Sequence, residues 1–147
     1  MKAIRLTETL SVSPQLEHQD FAALAEAGVC LVINNRPDGE APHQLPAAEA
    51  ARLAASAGIG YRHIPVAFPA VTRADIDAFC AALRAADGAV HAHCRSGTRS
   101  ANLWLLGELL EGRMTREDAA AFAAARGIAV RDALAWLDRY EAEAAGE

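Results

Sequence analysis

The stretch Ala89-Val90-His91-Ala92-His93-Cys94-Arg95-Ser96-Gly97-Thr98-Arg99-Ser100 reads as a strand that runs into a tight loop and then into a helix. Residues 89–93 favour extended backbone, 94–100 are small and polar, and Leu103, Leu106 and Leu110 follow at helical spacing. The same alternation occurs upstream. Val29–Ile33 is a continuous β-favouring run, as in a strand covered on both faces, and turn formers break it at Asn34–Glu40. Pro46 opens a helix reaching about Ala57 with Gly58 beyond it, and a second strand is expected at Tyr61–Val66, near an edge because of Pro65. Thr72 with Asp75 forms a capping box for a helix carrying Ile76, Phe79, Cys80 and Leu83, closed by Gly88. Before all this lie an extended stretch around Ile4–Val12 and a short helix at Asp20–Ala27. After the loop helix, Thr115/Asp118 make another capping box, and a last helix carries Leu134, Trp136, Leu137 and Tyr140. The pattern predicts a single α/β domain over 1–147, with a mainly parallel central sheet flanked by helices. In such a sheet the loops leaving strand C-termini, here 34–40, 67–71 and 94–100, gather along one edge and surround one pocket.

Composition narrows the function classes. Apolar residues make up 52% of the chain, but 36 of its 147 residues are alanine, so one compact core is the size supported. The formal net charge of −5 removes the basic footprint of a nucleic-acid binder. Arg5 interrupts what would be the apolar part of a signal peptide, and no window approaches the roughly 18 uncharged apolar residues of a membrane span. A cytoplasmic location with no membrane partner is the expectation. Cys30, Cys80 and Cys94 are odd in number and widely spaced, which argues against a disulfide framework or a thiolate zinc site. Cys30 and Cys80 sit on apolar faces and read as core.

The chemistry concentrates at Cys94. A cysteine between a strand end and a helix start, followed by small residues, faces inward-turned backbone N–H groups and the positive end of a helix dipole. That field favours thiolate over thiol, and Arg95 and Arg99 push the same way. Arg99 offers a planar fork to two oxygens of a bound oxyanion. Cys94 and Arg99 are therefore the expected catalytic pair, with Arg95, Ser96, Gly97, Thr98 and Ser100 as the anion-binding loop and His93 supporting its shape. Cys94 is read as a nucleophile rather than a buried structural thiol.

This loop resembles the active-site loop of rhodanese-type sulfurtransferases, while His93-Cys94 with Gly97 and Arg99-Ser100 resembles the phosphate loop of cysteine-dependent dual-specificity phosphatases. Taken with Ile33-Asn34-Asn35-Arg36-Pro37-Asp38-Gly39-Glu40 and Tyr61…Ile64-Pro65-Val66, positions 4–145 are similar to the family called beta-lactamase hydrolase-like proteins, phosphatase-like domain. The resemblance implies a dual-specificity-phosphatase-like fold. Members are described both as phosphatases and as sulfurtransferases, and some carry fused metallo-hydrolase or sulfide-oxidising domains.

Two departures tilt the expectation toward sulfur. The interval between Cys94 and Arg99 is one residue shorter than in those phosphatases and matches rhodaneses, a tighter cradle for a single sulfur. The phosphatases also place an aspartate general acid after the strand corresponding to Tyr61–Val66, where this chain has Ala67-Phe68-Pro69-Ala70. Such an acid is worth about 10²–10⁴-fold, and Asp75 or Asp77 would have to lean over the pocket to replace it. The main expectation is thus sulfane-sulfur transfer from thiosulfate or a persulfide, through a Cys94 persulfide, to a thiol acceptor such as glutathione or a small redox protein. The alternative is a phosphatase acting through a Cys94 phosphocysteine on a phosphate anion, and the third is a non-catalytic anion-binding module. Asn35, Arg36 and Phe68 are candidate pocket residues, with Asn34–Arg36 read equally as a plain turn. His91 and His93 share a strand face, yet no carboxylate or third ligand lies near, so no metal and no other cofactor is expected. His43 and His63 have no assignment, and the acidic tail 141–147 reads as a frayed helix end.

Overall fold

β-Branched and apolar residues at alternating positions build the sheet, and the computed structural model describes it within residues 2–146. In chain order the elements are β1 (Ile4–Arg5), β2 (Leu10–Ser13), α1 (Asp20–Glu26), β3 (Val29–Asn34), α2 (Ala47–Ser56), β4 (Gly60–His63), α3 (Arg73–Ala85), β5 (Ala89–His93), α4 (Thr98–Leu110), α5 (Arg116–Ala125) and α6 (Arg131–Ala145). The sheet has the order β1-β2-β5-β3-β4, parallel except for β1. The fold is α/β with a mainly parallel sheet, as the alternation required.

Three boundaries differ from the sequence reading. The stretch Ile4–Val12 is a hairpin rather than one strand, because Thr7 Oγ1 accepts from the Thr9 and Leu10 amides and turns the chain. The strand expected at Tyr61–Val66 ends at His63. Beyond it the Ile64 and Val66 amides still reach the Asn34 and Asn35 carbonyls, on either side of Pro65, which has no N–H. The loop expected to last through Ser100 becomes helix at Thr98, with Gly97 at φ 96° as its N-cap.

Strand alternation sends neighbours to opposite faces. Ile33, Val90 and Ala92 face a large core under α3–α6, while Val32 faces a smaller one under α1 and α2 with Leu16, Phe21 and Leu24. Both expected capping boxes are formed, Thr72/Asp75 on α3 and Thr115/Asp118 on α5. The tail is less idle than expected, since Glu141 and Asp138 of α6 both pair with Arg116 of α5. Glu147 lies outside the described residues.

Candidate active site

Buried polar side chains collect at one end of this fold. Ser13, Asn34, Asn35, Arg36, His91, His93, Ser100 and Asn102 are all buried, and they come from the C-terminal parts of β2, β3 and β5, from the loop just after β3 and from the first turns of α4. Cys94 lies among them with no exposed surface. Its amide donates to the Ser13 carbonyl at 3.4 Å. The Gly97 N–H turns inward and donates to Cys94 Sγ at 3.0 Å. Gly97 suits this point twice over. Its φ of +96° is left-handed, and a Cβ there would come 3.3 Å from the Ser13 backbone. Arg95 and Ser96 are exposed at the rim, and the Arg95 carbonyl takes the Gln15 amide at 3.3 Å.

Arg99 is held by three bonds. Its Nη1 and Nη2 donate to the two oxygens of Glu40 at 2.9 and 2.8 Å, and Nη1 also donates to the Val66 carbonyl at 3.1 Å. A guanidinium has five N–H donors in a rigid plane. The two left over are Nε–H and one Nη2–H, which lie side by side on one edge and match two oxygens of an oxyanion. Glu40 is itself steadied by Arg36 Nε at 2.9 Å, and Arg36 Nη1 reaches Gln15 Oε1 at 3.0 Å. The Arg99 guanidinium, with help from Arg36, holds the Glu40 carboxyl below the usual carboxylate range against the opposing effect of burial.

The scaffold beneath is equally specified. Asn35 donates to the Ile64 carbonyl at 2.9 Å and accepts from Ser100 Oγ at 2.8 Å, tying the β3 loop to the α4 start. His91 bridges two hydroxyls, Nδ1 to Ser11 Oγ and Nε2 to Ser13 Oγ, both at 2.7 Å. Ser13 spends its own proton on the Pro14 carbonyl at 2.8 Å, so His91 Nε2 is the donor and Nδ1 the acceptor. His93 Nδ1 lies 3.4 Å from the Cys94 carbonyl, and its Nε2 is buried without a partner among the described residues. Burial pushes both imidazoles down to about 4, which keeps them neutral near pH 7. Asn102 Nδ2 donates to the carbonyls of Thr98 and Ala129, and its Oδ1 accepts the Ala133 amide, bringing the α6 N-terminus beside the α4 first turn.

The structure therefore unites Cys94, Gly97, Thr98, Arg99, Ser100, His93, Asn35 and Arg36. Asn34 is the plain turn that was one of its two readings, with Oδ1 accepting the Arg36 amide at 2.8 Å. Arg36 faces Glu40, and His63, unassigned from sequence, bonds the Arg36 carbonyl at 2.8 Å. Phe68 is half-buried against the large core, so its segment meets Arg99 through the Val66 carbonyl instead of through the aromatic ring. Glu40, Gln15 and Ser13 were not singled out in the sequence. The available signal was the i, i+4 spacing of Arg36 and Glu40.

The family profile described as "Beta-lactamase hydrolase-like protein, phosphatase-like domain" matches residues 3–111. A beta-lactamase hydrolase-like protein of Agrobacterium fabrum is 42% identical over 142 residues, which are 97% of this chain and 33% of that protein. The chain thus spans about a third of the length of the curated relatives it matches. A solved structure of a candidate phosphatase from Neisseria meningitidis Z2491 is 33% identical with a TM-score of 0.77, over 85% of this chain and 88% of that one. Another candidate phosphatase, from Shewanella putrefaciens CN-32, is 26% identical with a TM-score of 0.74, over 96% of this chain and 91% of that one.

Proposed function

From the premise that this chain belongs to the family of beta-lactamase hydrolase-like proteins, phosphatase-like domain, we propose that it is a cysteine-dependent phosphatase. The observation that carries the reading is a cysteine sulfur that accepts the Gly97 amide at a helix start, five residues before an Arg99 that keeps two donors free of its Glu40 and Val66 bonds among the described residues. Cys94 attacks phosphorus while Arg99 and the amides of the loop hold the phosphoryl oxygens, where negative charge builds in the transition state. Water then hydrolyses the phosphocysteine and returns the thiolate. Free thiols of this kind fit a reducing compartment such as the cytoplasm. This reading replaces sulfur transfer as the leading one, because the solved structures with appreciable identity are candidate phosphatases.

Sulfane-sulfur transfer through a Cys94 persulfide remains a second reading, favoured by the four-residue interval between Cys94 and Arg99. One experiment separates them. Intact-mass analysis after a rapid quench from 4-nitrophenyl phosphate should show a phosphoryl adduct on Cys94, whereas incubation with thiosulfate or glutathione persulfide should leave no added sulfur. The reverse result makes the protein a sulfurtransferase.

A further inference from the structure

We infer that the phosphoryl groups this site removes are those whose leaving group departs as a stable anion, phosphoanhydrides and acyl phosphates, in preference to alkyl phosphomonoesters. The inference rests on the phosphatase reading and names its substrate class. In the first step the Cys94 Sγ–P bond forms and the P–O bond to the leaving group breaks, with its electron pair staying on the leaving oxygen. An alkoxide needs a proton at that moment. A carboxylate, with a pKa near 4, or a phosphate, with a second pKa near 6, does not. In the second step water attacks phosphorus, the S–P bond breaks, and the proton of water goes to the phosphate product. No external acid is consumed in either step when the leaving group is already stable as an anion.

The carboxylates on the segments around Cys94 are committed elsewhere. Glu40 is clamped by Arg36 and Arg99. Asp38 Oδ1 accepts the Ala47 amide at 2.9 Å and so starts α2. Asp75, expected as a substitute acid, closes the capping box with its Oδ2 on the Thr72 amide at 2.9 Å, and Asp77 pairs with Arg73 at 3.1 Å on an exposed face. Between Ile64 and Val71 no side chain ionises. Of the imidazoles, His93 is 1% exposed, His91 is held between two hydroxyls, His63 bonds the Arg36 carbonyl, and His43, exposed on the loop between β3 and α2, has no bond among the described residues that directs it toward Cys94. Asp20, after β2, accepts the Glu17 amide at 2.8 Å just ahead of α1. Two exposed carboxylates on flanking segments remain, Glu17 and Asp132, and among the described residues neither has a bond that directs it toward Cys94. A site built this way supplies thiolate and oxyanion stabilisation and leaves protonation of the departing group to the substrate's own chemistry.

The test compares kcat/KM for acetyl phosphate, ADP, 4-nitrophenyl phosphate, phenyl phosphate and O-phosphoserine, with pH profiles, in the protein and in its Asp132→Asn and Glu17→Gln variants. Acetyl phosphate and ADP separate the acyl from the anhydride source. At least one of them should match or exceed 4-nitrophenyl phosphate, and O-phosphoserine should fall below it by about 10²-fold or more, the scale of a missing proton donor. The profile should show no alkaline limb, and neither variant should steepen the dependence on the leaving group. Serine and aryl phosphates turned over within about tenfold of each other would overturn the inference while keeping the phosphatase reading. So would a dependence that steepens only in Asp132→Asn or Glu17→Gln, since that carboxylate would then be the acid. Failure to hydrolyse any of the five, with no phosphocysteine trapped, removes the underlying reading and the inference with it.

Discussion

Two cysteines of this molecule each lie against a glycine, Cys94 against the N-cap of α4 and Cys80 against its interior. At the helix N-terminus Cys94 Sγ accepts the Gly97 N–H at 3.0 Å. Roughly three turns along, Cys80 Sγ fills the space a Cβ on Gly107 would need, 2.6 Å away. Cys80 is the less buried of the two, and it borders a cavity of about 330 Å³ that Arg84 and Arg113 also line. Burial nevertheless pushes its thiol up, outweighing the nearby arginines. With Cys94 as the proposed nucleophile, the comparison teaches that neither depth nor neighbouring cations are enough to make one. What separates the pair is a backbone donor aimed at the sulfur, with a helix start behind it.

The sharpest way to break the comparison is to remove each sulfur. Cys94→Ser should cost turnover of 4-nitrophenyl phosphate by roughly 10⁴–10⁶-fold, as loss of a nucleophile does elsewhere, while Cys80→Ala should leave kcat/KM within about twofold. Comparable losses from both would mean that α4, rather than the loop, carries the effect. The oxyanion side comes next. Arg99→Lys keeps the charge but loses the planar fork, and should lower kcat/KM by about 10²–10³-fold, the cost of a lost transition-state donor. Steady-state kinetics with the same substrate, alongside a thermal melt, distinguish this from unfolding.

The buried histidines under Cys94 predict a pH signature that the cavity beside Cys80, with no histidine in its lining, does not. His91 and His93 titrate near 4 in the fold against 6.5 for a free imidazole. The unfolded chain therefore takes up protons first as pH falls. Their contribution to stability is complete above about 6.5, is lost between about 6.5 and about 4, and loses nothing further below that. The loss amounts to about 3 kcal/mol for each imidazole. Urea midpoints at pH 7.5 and 5.5 test it in a range where carboxylates change little. Equal midpoints would mean that the imidazoles accept protons inside the fold.

Much of this arrangement was legible in the sequence because it is local. Cys94, Gly97 and Arg99 lie within six consecutive residues, and the caps at Thr72/Asp75 and Thr115/Asp118 span four each. Glu40 was not legible in its role, because it meets Arg99 across 59 positions and only the parallel pairing of β3 with β5 brings their loops together. The Ser11-His91-Ser13 bridge depends in the same way on the β2–β5 register. The hairpin at Thr7 was missed because a hydroxyl accepting two amides turns the chain without the glycine or proline that usually marks such a point.

The smallest effect probes the Cys80 side alone. Gly107 has no special backbone need, so its lack of a side chain answers to the sulfur against it. Gly107→Ala should destabilise by up to about 2 kcal/mol, the roughly 1–3 kcal/mol cost of overpacking less the about 1 kcal/mol of helix propensity that alanine gains over glycine. In a Cys80→Ala background the obstruction is gone and only the propensity gain is left, so the same substitution should become neutral or stabilising. The double-mutant cycle in urea then reads a coupling of about 1–3 kcal/mol, which identifies the contact as steric. Because Gly97 and the loop are untouched, turnover should not follow stability in any of the three variants. If it does, the strain at Gly107 reaches Arg99 along α4, and the two cysteines share one rigid element rather than two separate environments.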